Sequence, residues 1–137
     1  MAVEISLLLA VHLAGFAGWT GCLGGFLLLG TVATPLLRAC LFAMPITLAS
    51  GWALGFLQFG QPGAWPWAVN AMQTAGIAMA VVLLIAWFGA RLLLRDGEAS
   101  GDAAVIDAAT RRLTRLIAVD LLLGGMSLGF AVLGRFG

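Results

Sequence analysis

A lone histidine, a glutamine and an aspartate stand inside long apolar runs of this sequence. His12, the only histidine, lies about two helical turns into the first run. An imidazole is both a metal ligand and an axial haem ligand. Placing an ionisable group among apolar residues is expensive, so such a group marks function by default. The competing reading is a neutral imidazole hydrogen-bonded to a neighbouring helix. Gln73 and Asn70 on the third run, Met126 and Ser127 on the fourth, and Ser50 and Trp52 on the second all count to about the depth of His12. A cluster of His12, Gln73, Met126 and Trp52 is therefore geometrically allowed. The thioethers of Met44, Met72, Met79 and Met126 are soft donors, suited to Cu(I) or to an axial haem position. At their irregular spacing, flexible core filling is the commoner use.

Asp120 is the other polar intruder, five residues past Arg115 and so about 8 Å deeper at the helical rise. A structural ion pair with Arg38 or Arg91 is the favoured expectation, and a proton-relay carboxylate the sharper one. Cys22 and Cys40 fall in separate runs and read first as small packing residues, with a disulfide or metal pair as the minority reading. No glycine-rich phosphate loop, nucleophile elbow, approaching carboxylate pair or paired metal-ligand motif occurs.

The elements that must position these residues follow from composition. Of 137 residues, 62% are hydrophobic and 9% charged, against about a quarter charged in a soluble domain. That leaves too little polar surface to solvate a globule. A net charge of +1 offers no basic face, which argues against a nucleic-acid partner. A bilayer core takes about 20 apolar residues per helix, and four stretches qualify, at about 5–29, 37–59, 65–94 and 113–134. The expected fold is all-α, a single integral membrane four-helix bundle. Glu4 and the length of the first run speak against a cleaved signal peptide.

The connections differ in kind. Pro35 suits the first turn of a second helix, and Gly60-Gln61-Pro62-Gly63 predicts a tight turn at an interface marked by Trp65 and Trp67. The stretch 96–102 reads as the one strongly polar connection. Ser100 or Asp102 is the cap of an amphipathic helix running into the fourth span. All seven basic residues are arginine: Arg38, Arg91, Arg95, Arg111, Arg112 and Arg115 flank the first and third connections, and Arg135 alone lies at the other end. Basic residues stay on the cytoplasmic side. Both termini are then expected outside the cytoplasm, in the inner (cytoplasmic) membrane of a bacterial-type cell. Glycines stud the first and fourth spans and predict close helix packing, with a groove for a flat porphyrin-like ligand as the rival use. Pro45 should kink the second span.

The stretch Val11-His12-Leu13-Ala14-Gly15-Phe16-Ala17-Gly18-Trp19-Thr20-Gly21 resembles the first span of the copper-resistance D (CopD) family and of the similar HemJ-type protoporphyrinogen oxidases. Met44-Pro45 and Ser50-Gly51-Trp52-Ala53-Leu54-Gly55 are similar to their second span, and Arg112 to Asp120 is similar to the basic entry and acidic residue of their last. The resemblance implies a membrane protein that holds haem b or handles copper, with His12 as the ligand carried over. HemJ-type proteins also use a third-span lysine. Here the nearest polar residue is Gln73 and the chain has no lysine, a departure from the pattern that puts the oxidase activity in question.

Three readings result. The first is a haem b protein of electron transfer or tetrapyrrole chemistry, its cofactor contacts His12, Gln73, Met126 and Trp19, with Met126 or Met72 opposite His12. The second is copper transport or resistance, through His12, the methionines and Cys22, with His12 and Met126 as the metal ligands. The third is a non-catalytic subunit of a larger membrane complex, or a homo-oligomer, with the bilayer as its constant partner.

Overall fold

The structure is a computed structural model that describes residues 2–136, and every element among them is helical. Helices α1 (Ala2–Leu29), α2 (Thr34–Phe59), α3 (Trp67–Ile85), α4 (Leu92–Ser100) and α5 (Ala103–Phe136) follow in order. Short 3-10 turns occupy Gly30–Ala33 and Pro62–Ala64, and a π-helical segment, Ala86–Arg91, joins α3 to α4 without a break. Three continuous helical stretches are long and apolar enough to cross a membrane: Ala2–Phe59, Trp67–Ser100 and Ala103–Arg135. Their outward faces carry large apolar side chains, among them Leu28, Phe42, Phe88 and Leu122, all exposed. A surface of this kind suits lipid and not water.

The longest of these stretches folds back on itself. Gly30, at φ 69°, takes the left-handed conformation that glycine adopts without a Cβ penalty. Beyond it His12 meets Thr47, Trp19 meets Cys40 and Gly25 meets Leu36. Contacts that climb one helix as they descend the other define an antiparallel hairpin. A second hairpin turns at Gly101, φ 70°, pairing Trp67 with Phe130, Met79 with Gly124 and Gly97 with Ile106. The hairpins meet where α2 packs on α3, at Leu48 against Gly76, and on the turn before it, at Gly55 against Trp65, and where α1 packs on α5, at Thr20 against Gly124. Each turn between them leaves the arginine-rich connections at one end.

Packing is uneven along this axis. Toward the arginine end the interior is filled by Trp19, Leu23, Phe26, Leu37, Leu83 and Leu113, all essentially inaccessible. Ala86, Ala90 and Ala109, also fully buried, let the helices close on them. Toward the opposite end the interior opens, and the polar residues lie there.

One expectation is corrected and two are narrowed. The stretch 96–102 is not a loop: α4 continues through Ser100, and only Gly101 and Asp102 connect it to α5. Gly97 is a packing glycine, for a Cβ there would stand 3.0 Å from Val105 and 3.2 Å from Ile106. Asp102 provides the cap, its Oδ1 accepting from the amides of Ala104 (3.1 Å) and Val105 (3.2 Å), whereas the Ser100 hydroxyl donates to Gly97 O. The third helix starts at Trp67 and not Trp65. Trp65 is buried against Gly55 and donates its indole N–H to Gly60 O at 2.9 Å, while Trp67 is exposed. Pro45 lies inside α2, which continues as one helix around it, and Pro35 sits in its first turn as expected.

Candidate functional site

The site begins with two glycines. A Cβ on Gly15 would stand 2.6 Å from Thr47 Oγ1, and one on Gly51 would stand 2.8 Å from His12 Cε1. Their absence lets α1 and α2 approach until the imidazole rests on the α2 backbone. There His12 Nδ1 lies 2.9 Å from Thr47 O and 3.2 Å from Ser50 Oγ. A carbonyl oxygen only accepts, so Nδ1 carries the ring proton and donates it to Thr47 O. The Ser50 hydroxyl is held in place by its own donation to Ile46 O at 2.6 Å. In the neutral ring the lone pair then belongs to Nε2, which has no hydrogen-bond partner among the described residues.

Three adjoining spaces surround this ring, and His12 and Met72 wall all of them. The most enclosed, about 40 Å³, is completed by Phe16, Trp19, Gln73, Met79 and Ser127. It is large enough for a few water-sized groups. Toward the α2–α3 side a space of about 130 Å³ extends along Leu54, Gln58, Val69 and Gln73. Toward α5 a space of about 190 Å³ runs along Leu13, Phe16, Ser127 and Leu128. The walls are largely apolar, with polar groups at few points, which is the make-up of small-molecule sites.

The residues anticipated for this cluster are partly assembled. Gln73 is beside His12, for the same Cβ on Gly51 that would crowd the imidazole would lie 3.3 Å from Gln73 Nε2. Trp19 forms the floor of the enclosed space, and Met72 its side. Met126 is not there: it is 53% exposed on the outer face of α5, and its neighbour Ser127, 7% exposed, is the residue that α5 turns inward. Trp52 is also elsewhere, stacked with Phe56 and Trp65 at ring-centroid distances of 5.9 and 5.2 Å. Asn70 donates to Trp65 O. Thr47 and Gly51 went unrecognised in the sequence. Their signal was register: in a hairpin turning near Gly30, both fall opposite His12.

Asp120 lies deeper, fully buried on the α5 face that also carries Ile117 and Ser127. The anticipated ion pair with Arg38 or Arg91 is absent, and neither carboxylate oxygen has a hydrogen-bond partner among the described residues. Neither arginine reaches it: Arg38 is exposed, and the Arg91 guanidinium lies 4.8 Å from the centre of the Trp87 ring. The buried indole N–H of Trp19, likewise unsatisfied, lies near Asp120 without reaching hydrogen-bond geometry. Cys40 donates to Trp19 O at 3.5 Å and has Cys22 as its thiol neighbour, the two forming no disulfide in this structure. Among the described residues no three His, Cys, Asp or Glu side chains converge on one point.

No protein-family model matches the chain, and neither a curated protein nor a solved structure matches it.

Proposed function

We propose that this chain is an integral membrane protein that binds haem b through His12 Nε2, in electron transfer or tetrapyrrole chemistry, as a distant CopD/HemJ-like protein. One observation carries the reading: Nδ1 is committed to Thr47 O, which leaves the lone pair on Nε2 without a partner among the described residues, on a ring that walls three largely apolar spaces. A ligating histidine characteristically donates its other ring N–H to a carbonyl or carboxylate, which fixes the tautomer and raises the basicity of the ligand.

The donor set fits haem. His12 would hold the iron through its free ring nitrogen, and Met72, on the same spaces, would offer a thioether that the exposed Met126 cannot. The enclosed cavity of about 40 Å³ is far too small for a macrocycle, so a bound ring would rest against the flanking spaces of about 130 and 190 Å³. Bound there, haem would supply a one-electron carrier whose potential is set by its axial ligands and by burial. The chain's own part is to orient the imidazole through Thr47, to limit water around it and to present Gln73 and Ser127 as polar contacts. Copper handling has less support, because His12 is the sole imidazole and Met72 and Met79 are the only in-span thioethers along these spaces.

The same reading takes the chain through the membrane four times, with α1 and α2 as separate crossings of the 58-residue stretch. The turn at Gly30 and the six arginines gathered at one end support it. Basic residues are retained on the cytoplasmic side, which supports a cytoplasmic arginine end with the termini outside.

The test is the absorption spectrum of detergent-purified protein, oxidised and then reduced with dithionite, with metal analysis of the same sample. A Soret band with sharp reduced α and β bands is expected, and His12→Ala should abolish both. Haem retained by that variant, or stoichiometric copper in a spectrum without a Soret band, rejects the proposal.

A further inference from the structure

At the arginine-rich end a small polar pocket of about 60 Å³ lies between the start of α2 and the helical stretch that includes α4. It is walled by Thr34, Arg91, Leu94, Arg95 and Glu98. Arg91 is the last residue of the π-helical segment, a form found mostly as single turns at functional sites. Stacking over Trp87 holds its guanidinium. Its Nε is sealed from solvent and has no hydrogen-bond partner among the described residues. A buried guanidinium N–H left without an acceptor is destabilising.

The surrounding side chains do not supply that acceptor. The Thr34 hydroxyl is turned to Thr31 O at 2.6 Å, and neither Arg91 nor Arg95 forms an ion pair with Glu98. Two arginines against one glutamate leave a single positive charge in the walls. Beside the pocket the chain is apolar and exposed, at Val32 (89%) before Thr34 and at Leu92 and Leu93 (38% and 41%) after Arg91.

We propose that this pocket holds the phosphate of a monoanionic phospholipid with a hydroxylated headgroup. The phosphodiester oxygens would accept from Arg91 and Arg95, the headgroup hydroxyls would donate to Glu98, and the acyl chains would lie on Val32, Leu92 and Leu93. One net charge matches a phosphodiester better than a phosphate dianion, and a free ion has no use for the apolar flank. Arginine suits the task because its planar fork binds phosphate oxygens in pairs. Basic pockets between membrane helices on the cytoplasmic side are established headgroup sites.

The test uses the whole chain, delipidated in detergent, titrated with phosphatidylglycerol, phosphatidylcholine and inorganic phosphate, and followed by native mass spectrometry and thermal shift. Phosphatidylglycerol should bind about tenfold more tightly than phosphatidylcholine, the scale of one or two charge-assisted hydrogen bonds. Arg91→Gln and Arg95→Gln should each erase that preference, and Arg135→Gln, at the opposite end, should keep it. If Arg91→Gln fails to fold, the exposed Arg95 decides. Equal binding of the two lipids, a preference that survives both substitutions, or saturation by inorganic phosphate without lipid selectivity each overturns the proposal. The absorption spectrum is a separate readout on the same samples, so failure here leaves the His12 reading untouched.

Discussion

At the residue scale the site rests on what is missing as much as on what is present. Gly51 is the sharper of the two glycine positions, because an added methyl would meet the His12 ring at 2.8 Å and the Gln73 amide at 3.3 Å. Overpacking of this kind costs about 1–3 kcal/mol. Gly51→Ala should therefore lower the melting temperature in detergent and shift or weaken the haem bands, whereas Gly18→Ala, with nothing within 4 Å, should do neither. Equal behaviour of the two variants would detach Gly51 from the site. Asp120 gives the opposite sign. Its two oxygens are buried without partners, and an unsatisfied buried polar group carries a penalty of about 1–3 kcal/mol. Asp120→Leu should thus melt at the same temperature or a few degrees higher. Removing one partner of a buried ion pair would instead cost about 3–5 kcal/mol. A large drop in melting temperature would restore an ionic partner for Asp120.

At the element scale the legible and illegible parts separate by mechanism. The presence of long apolar helices was legible, because runs of apolar residues of bilayer length have few other uses. Depth was legible as well, for counting from each end put Gln73, Ser50 and Ser127 level with His12. Facing was not: Met126 and Ser127 are adjacent in sequence and about 100° apart around α5, and only packing decides which one turns inward. The polar composition of 96–102 suggested a loop, yet helix formers carry α4 to Ser100 because Gly97 lets α5 lie close against it. The hairpin so formed depends on its cap. Asp102 Oδ1 satisfies two amides at the start of α5, and losing such a cap costs about 0.5–2 kcal/mol. In Asp102→Ala, hydrogen exchange of the first-turn amides of α5 should quicken by about 2- to 30-fold. The His12 site lies at the far end and should keep its spectrum. A spectral change would mean that the hairpin and the site are coupled.

At the scale of the whole molecule, the question is how many times the chain crosses. The stretch Ala2–Phe59 is 58 residues, α1 and α2 joined by a single 3-10 turn. Straight, it would run about 87 Å, far more than a hydrocarbon core of about 30 Å. The fold-back at Gly30 divides it into two lengths that each match a bilayer, and the contacts of His12 with Thr47 and Trp19 with Cys40 hold them side by side. Trp67–Ser100 and α5 are each about 51 Å long at 34 residues. If both cross the bilayer, their hairpin end, with the exposed Asp107–Arg111 pair, would project past the lipid at the arginine side. Single cysteines placed in a background lacking Cys22 and Cys40 test this directly. Val32→Cys and Ala99→Cys should react with a membrane-impermeant maleimide only after the membrane is opened, and Gly63→Cys should react in intact cells. All three positions are exposed, and a Cβ at Gly63 meets nothing within 4 Å. Val32→Cys labelled from outside together with Gly63→Cys would mean that α1 and α2 do not cross as separate spans. The orientation inferred from the arginines would fall with the four-crossing count. Gly63→Cys protected and the other two labelled would instead keep four crossings and invert them, moving the open end of the bundle and His12 to the cytoplasmic side.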